Sequence, residues 1–218
     1  MSESDFLQAT AYVDSDNDEV RAFARAAAGA AQGDRARAIA LYDAVRDGIV
    51  YDPYLDYTDP DVFRASAVLA AGRGFCIGKS VLLTAAARAL GMPARPGFAD
   101  VRNHLTSKRL RALTDSDTFH WHSYTELKID GRWVKCTPAF DAALCARAGL
   151  APLAFDGAAD SLFHPFDPAG RRHMEYLNDR GTFEDVPVDA ILADFRRLYP
   201  RLLEQDRMGG DFRAEVST

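Results

Sequence analysis

The segment from Cys76 to Leu90 constrains the fold most, because its sequence predicts a helix with one apolar face. Gly74-Phe75 precede it, and Gly91, with Pro93 soon after, is the usual signal that ends a helix. The apolar positions on the shared face are Ile77, Val81, Leu82, Ala85 and Ala89. We therefore expect a buried helix that carries Cys76 in its first turn.

Further helices precede this segment, and a strand follows it. Residues from about Asn17 to Ile49 have helical spacing interrupted near Gly33-Asp34, and Ala65–Ala71 predicts a short helix. After the buried helix, Pro93–Phe98 is typical of a strand, and the polar segment Asp100–Asp117 is expected to form a long loop.

A β-hairpin is predicted next. His122–Ile129 alternates and is rich in strand-forming residues, Asp130-Gly131 suits a tight turn, and Arg132–Cys136 returns. From Phe140 to Pro187 the sequence is irregular, and Val188–Leu203 then predicts a helix. Helices followed by antiparallel strands indicate an α+β fold, in which N-terminal helices and the buried helix pack on an antiparallel sheet.

The composition is that of an ordinary folded protein. Of 218 residues, 48% are hydrophobic and 27% are charged, which suits one large domain. The 26 Lys+Arg and 32 Asp+Glu residues leave a formal charge of −6, so non-specific binding to nucleic acid or to anionic membranes is not expected. No segment predicts a transmembrane helix, and the acidic N-terminus fits neither a secretory signal nor a mitochondrial presequence. We expect a cytoplasmic protein.

Cys76 is the candidate nucleophile among three sparse cysteines, which form no disulfide framework or zinc motif. A helix N-terminus and a neighbouring imidazole both lower a thiol pKa, and His122 opens the hairpin strand. The alternative is that Cys76 is a small apolar residue of the core. A metal site made by His120, His122 and His104 or Asp100 is a further alternative, but we expect no metal or cofactor.

Three separated motifs resemble the transglutaminase-like superfamily. They are Gly74-Phe75-Cys76 at the start of a helix, His122-Ser-Tyr124-Thr-Glu126 on one strand, and Trp133-Val-Lys-Cys-Thr137-Pro138 on the next. The resemblance covers about residues 35–141 of a single domain, 1–218, whose residues 142–218 are expected to form an irregular wrap and a helix that line the cleft. It implies a papain-like site with Cys76 as nucleophile and His122 as acid and base.

The third catalytic residue departs from the family pattern. The family's Asp falls at Thr137, which carries no negative charge. Asp141, four residues further on, is narrowly favoured to orient the imidazole, while Thr137 itself and Glu126 are the alternatives. This departure also favours a second hypothesis, in which the protein is a catalytically inactive binding protein with the transglutaminase-like fold.

Several residues are candidates for an oxyanion hole or for substrate contacts, although aromatic packing and solvated charge explain them equally well. They are Tyr51, Tyr57, Tyr124, His120, Arg102 and His164. The predicted activity is acyl transfer, most simply hydrolysis of a small amide or peptide through a Cys76 thioester.

Overall fold

A computed structural model of the chain describes residues 3–104, 106–163, 166, 169–171, 173–204 and 209–216. Its helices are α1 (Asp18–Ala28), α2 (Gly33–Gly48), α3 (Ala65–Ala71), α4 (Cys76–Ala89), α5 (Lys108–Thr114), α6 (Ala142–Ala148), α7 (Val188–Leu198) and α8 (Phe212–Glu215). Its strands are β1 (Val50–Tyr51), β2 (Arg73–Gly74), β3 (Ala94–Asn103), β4 (Thr118–Ile129), β5 (Arg132–Cys136) and β6 (Met174–Thr182). Short 3₁₀ helices lie at Glu3–Leu7, Pro60–Phe63 and Pro200–Leu203.

Helix α4 lies at the centre of the hydrophobic core, which confirms the buried helix expected from the sequence. Every residue from Ile77 to Arg88 is buried, with α1, α2 and α3 packed around the helix and β4 against it. A Cβ atom on Gly78 would lie 2.8 Å from Val68 Cγ2 and 3.0 Å from the Val62 carbonyl oxygen. The close approach of α3 and α4 therefore needs a glycine at this position.

The main sheet has the antiparallel order β5-β4-β3-β6, so the α+β class is confirmed. The predicted hairpin is β4–β5, and its turn residues Asp130 and Gly131 have φ angles of 50° and 78°. Both strands of the pair β3–β4 are longer than expected, since β3 continues to Asn103 and β4 already begins at Thr118.

Two expectations about irregular segments are wrong. Residues 100–117 are not a loop: β3 occupies the beginning, and α5 follows with Ser107 as its N-cap and Leu110 and Leu113 buried. Arg109 and Arg111, on either side of Leu110, concealed the helical pattern. Residues 140–187 contain α6 and also β6, a polar edge strand whose pairing with β3 provides its regularity.

The C-terminal part folds back onto the core. The helix predicted over 188–203 ends at Leu198, and a 3₁₀ turn follows from Pro200, which has no N–H to continue the helix. Helix α8 places the Phe212 ring 5.5 Å from the Tyr51 ring and 5.9 Å from the Tyr54 ring. None of the helices in the described ranges is long and apolar enough to cross a membrane.

Candidate active site

The start of α4 is positioned by a short parallel pairing of β1 with β2. Tyr51 pairs with Gly74, and the Asp52 N–H donates to the Gly74 carbonyl at 3.1 Å. The next residue, Phe75, is the N-cap, and its side chain makes no capping hydrogen bond. The first-turn N–H groups of α4 are therefore not satisfied by a capping side chain, and Cys76 lies among them.

Cys76 as a residue is half-buried, and its sulfur lies against Ser123 of strand β4. Backbone N–H groups of Ser123 and Ile77 are directed at it and favour its ionised form, but burial outweighs them and raises the pKa of the thiol to about 11. Ser123 is the neighbour of His122 along β4, so this contact brings the histidine-bearing strand against the sulfur.

His122 is buried next to a backbone irregularity. Trp121 has a φ of 64°, a conformation that costs free energy for a residue other than glycine, and the β3–β4 register shifts between Ala99 and Val101. The imidazole lies 5.7 Å from the Phe163 ring, between centroids. Burial lowers the pKa of His122 to about 4, and Nε2 has no hydrogen-bond partner in the part of the chain that the structure describes.

These pKa directions do not favour the ionised pair expected from the sequence, which stays a prediction. A thiol with a pKa of about 11 and an imidazole with a pKa of about 4 are both neutral at pH 7. The physical reason is that desolvation acts on Cys76 and on His122 alike, while no carboxylate among the described residues stabilises an imidazolium.

Cys76 and His122 line the same cavity, which has a volume of about 70 Å³. Three of the residues predicted to contact substrate also line it, namely Tyr51, Tyr57 and His120. Residues of α5, α7 and α8 complete the wall, so segments far apart in the sequence enclose the candidate site.

The tyrosines of the cavity wall are packed rather than free. The Tyr57 hydroxyl donates to the Pro53 carbonyl at 2.7 Å, and the Tyr51 ring lies 4.9 Å from the Phe140 ring. Burial raises the pKa of Tyr51 and of Tyr57 well above the ordinary value. These contacts fit aromatic packing better than an oxyanion hole.

Tyr124 lines a different cavity, contrary to its expected place beside the nucleophile. Its ring fits against Gly97, where a Cβ would lie 2.2 Å from Tyr124 Cε2. Its hydroxyl donates to Asp179 at 3.2 Å and receives a hydrogen bond from Lys135 Nζ at 3.3 Å. The side chain is thus held by groups of the sheet and not by the candidate site.

Asp141, favoured from the sequence as the third catalytic residue, is engaged elsewhere. Its carboxylate caps α6 by accepting the Leu144 N–H at 2.9 Å and pairs with Arg213 at 2.8 Å. Burial opposes ionisation of this carboxyl, but Arg213 and the Leu144 N–H outweigh it and keep its pKa below the usual value. Both carboxylate oxygens are therefore occupied in a structural role, since Oδ2 also accepts the Tyr51 N–H at 3.4 Å.

The other two candidates for this role differ in their surroundings. Glu126 is buried in an ion pair with Arg95 at 2.6 Å. Thr137 is buried beside Tyr176, whose pKa is raised by burial while the Thr137 hydroxyl acts in the opposite direction. The Tyr176 ring also lies 6.1 Å from the His122 ring, between centroids. Thr137 is therefore near the same side of the sheet as His122 and remains a candidate for the third catalytic residue.

A cluster around Asp100 supports the irregular backbone next to His122, whereas the sequence indicated Asp100 only as an alternative metal ligand and His120 also as a candidate substrate contact. Asp100 accepts the Trp121 N–H at 3.3 Å and Arg180 Nε at 2.5 Å, and it lies 3.1 Å from His120 Nδ1. Arg180 also stacks on the Trp121 ring at 4.2 Å. Alternation along β3 could have indicated Asp100, but Arg180 lies in β6, which the sequence did not reveal.

The metal alternative finds no support in the arrangement of the histidines. His104 hydrogen-bonds to Glu175 at 3.0 Å, whereas His120 faces Asp100. Among the described residues no group of three or more His, Cys, Asp or Glu side chains is suitably placed to hold a metal ion.

The predicted substrate contacts at Arg102 and His164 have different outcomes. Arg102 is half-exposed, lies 3.4 Å from both Asp117 and Glu175, and is not part of the cavity wall. His164 lies outside the described residues.

Fold and site together define an α+β protein in which a cysteine opens a buried helix and faces a histidine-bearing antiparallel strand. The model of the transglutaminase-like superfamily matches residues 21–138, more than half of the chain. The chain therefore belongs to the transglutaminase-like superfamily. No curated protein matches it.

Two solved structures are similar to this chain. A proposed cysteine protease from Cytophaga hutchinsonii has a TM-score of 0.50 and 19% identity, over 85% of this chain and 48% of that one. A proposed protease from Parabacteroides distasonis ATCC 8503 has a TM-score of 0.38 and 16% identity, over 54% of this chain and 22% of that one. The likeness to the Cytophaga protein supports the fold alone, and this chain spans about half the length of that protein.

Proposed function

We propose that this chain is a cysteine-dependent acyl-transfer enzyme that hydrolyses a small amide or peptide through a thioester on Cys76. The observation that carries the proposal is that Cys76 and His122 line one cavity, and that the backbone N–H of Ser123, the neighbour of His122, is directed at the Cys76 sulfur. Membership of the superfamily supports the same chemistry, but not a particular substrate.

The reaction starts from a neutral thiol and a neutral imidazole. As the Cys76 sulfur attacks the carbonyl carbon, His122 accepts the thiol proton, so no free thiolate accumulates. N–H groups of the first turn of α4 stabilise the negative oxygen of the tetrahedral intermediate. The C–N bond then breaks, and the amine leaves with the proton from His122.

Water completes the cycle. His122 accepts a proton from water as the oxygen attacks the thioester carbonyl, the C–S bond breaks, and Cys76 recovers a proton. The products are the carboxylic acid and the free enzyme. An amine in place of water would make the same reaction a transfer, because both react with the same thioester.

Trapping the thioester tests this proposal. The protein is mixed with a library of amides and short peptides, quenched in acid, and the peptide containing residue 76 is examined by mass spectrometry. We expect an acyl adduct in the wild type, none in Cys76→Ser, and slower formation in His122→Gln. Cys145→Ser is the matched control, because this buried cysteine does not line the cavity and its replacement should not affect the adduct.

The second candidate function is binding without turnover. It is favoured by Thr137 in place of the family's Asp and by a His122 whose burial keeps its pKa at about 4. In that case a library compound would raise the melting temperature without any adduct at Cys76, and Cys76→Ser would bind it equally well.

A further inference from the structure

The cavity beside Cys76 has a composition that selects a substrate class. We infer that it receives the uncharged, apolar acyl group of the substrate, a chain with about three carbon atoms beyond the carbonyl. This inference rests on the proposed function, because it assigns the group that the Cys76 thioester carries.

The first argument is the absence of charge. In the described part of the chain, no Asp, Glu, Lys or Arg side chain lines this cavity. The wall is formed mainly by aromatic and aliphatic groups, among them Phe75, Leu110, Phe119, Phe140, Phe195 and Leu202. A carboxylate or ammonium group placed here would lose its hydration without gaining a partner of opposite charge, which is strongly unfavourable.

The second argument is that several polar groups of the wall are already satisfied. The Tyr57 hydroxyl donates to Pro53, the Thr114 hydroxyl donates to the Leu110 carbonyl at 3.0 Å, and the Tyr199 hydroxyl donates to the Thr118 carbonyl at 2.8 Å. His120 is turned towards Asp100. These groups need no polar substrate atoms, and Trp121 Nε1 likewise donates to Asp194 at 2.9 Å. The other polar side chains of the wall are Tyr51, Asn103, Cys76 and His122, and the carbonyl reacts at the last two.

The third argument is size. An apolar cavity of about 150 Å³ holds one benzene ring, so a cavity of about 70 Å³ suits a chain of about three carbon atoms and is too small for a ring. The acyl group stays bonded to Cys76 through both steps, whereas the amine must depart, so a recess beside the sulfur suits the acyl group.

A series of p-nitrophenyl esters tests the inference. In each reaction the Cys76 C–S bond forms, the ester C–O bond breaks, and p-nitrophenolate leaves while the thiol proton passes to His122 and then to solvent. The acyl groups are acetyl, butyryl, hexanoyl, octanoyl, phenylacetyl and the anionic glutaryl group. Acylation is followed by the burst of p-nitrophenolate and located by mass spectrometry, with Cys76→Ser as the blank.

We expect the second-order acylation rate to rise about four-fold per methylene from acetyl to butyryl, as each buried CH₂ is removed from water. The rise should end near butyryl, where the cavity is full, so hexanoyl should gain little more and phenylacetyl should react more slowly than butyryl. Glutaryl, which is close to hexanoyl in length but charged, should react at least ten-fold more slowly than hexanoyl.

Variants of Leu202 connect this preference to the cavity. Leu202→Arg places a positive charge in the wall and should reverse the preference of hexanoyl over glutaryl. Leu202→Ala enlarges the cavity and should move the optimum from butyryl to hexanoyl. Leu177→Arg is the matched control, because Leu177 is 47% exposed on β6 and lies outside this cavity. Its ester preferences should equal those of the wild type, and circular dichroism checks the fold of each variant.

The outcomes separate the two proposals. Acylation of Cys76 that does not depend on chain length, or that is fastest with glutaryl, overturns the apolar acyl site and leaves the cysteine mechanism standing. Unchanged ester preferences in both Leu202 variants would also overturn the apolar acyl site and leave the cysteine mechanism standing. If no ester acylates Cys76 in a folded wild type, the proposed function itself fails, and this inference fails with it.

Discussion

Alkylation of Cys76 by iodoacetamide should be slow at neutral pH and should accelerate with rising pH. Burial raises the pKa of this thiol to about 11, so at pH 7 the thiolate fraction is about 10⁻⁴. A free cysteine with a pKa of about 8.5 is roughly 3% ionised, which is about 300 times more. The reactive species is thus scarce because the thiol is desolvated.

Part of this difference is compensated, since a more basic thiolate is a better nucleophile. With a Brønsted coefficient of about 0.4–0.5 over roughly 2.5 pKa units, the Cys76 thiolate is about 10–18 times more reactive. The net expectation is alkylation about 15–30 times slower than that of a free cysteine at pH 7, with a rate that rises about ten-fold per pH unit up to pH 10.

The assay is labelling of the folded protein between pH 5 and pH 10, quantified on the peptide that contains residue 76, beside an unstructured cysteine peptide as reference. His122→Gln should leave the shape of the profile unchanged, because the resting imidazole is neutral. Fast labelling with a plateau below pH 7, abolished in His122→Gln, would show an ionised pair and refute the reasoning from desolvation.

Three further predictions concern the surroundings of the site. Asp100→Asn removes the charge that holds Arg180 and the Trp121 N–H. Thioester formation, measured by acid-quench kinetics, should therefore slow about ten-fold at unchanged KM. An effect on KM alone would contradict a positioning role for this carboxylate. Burial lowers the pKa of Lys79 to about 7, and a buried cation with a lowered pKa destabilises the folded protein most at low pH. The unfolding free energy of the wild type, measured by urea titration, should therefore rise by about 2–3 kcal/mol relative to that of Lys79→Met between pH 6 and pH 9. A constant difference contradicts a charged Lys79 in the core at pH 6. Asp141→Ala removes a helix cap and a buried partner of Arg213 and should lower the unfolding free energy by about 3 kcal/mol, while Cys76 acylation persists in the folded protein; loss of acylation without loss of stability would restore the catalytic assignment of Asp141.

The elements and motifs with strong local signals could be predicted from the sequence. Helix α4 begins at Cys76 and ends at Ala89 because Gly74 precedes this run of apolar residues and Gly91 and Pro93 follow it. The β4–β5 hairpin follows from alternation and from the turn at Asp130-Gly131. In contrast, α5 and β6 have polar sequences, and their regular structure depends on packing and pairing with distant residues.

The candidate site divides in the same way. Spacing and family resemblance indicated Cys76 and His122, since each lies at a recognisable end of a predicted element. The sequence did not reveal that Arg213 and a helix N-terminus compete with the imidazole for the carboxylate of Asp141. Distance along the chain does not reveal such competition.

The sequence by itself determined which side of each principal element faces the core, and with it the location of the thiol at the start of a buried helix. Only the tertiary structure decided the protonation of that thiol, the apolar character of the space beside it, and the support of Trp121 by Asp100 and Arg180. Periodicity encodes the orientation of a side chain within its own element. Desolvation and Coulomb interactions depend on groups from every element that packs against it, and these meet only when the chain has folded.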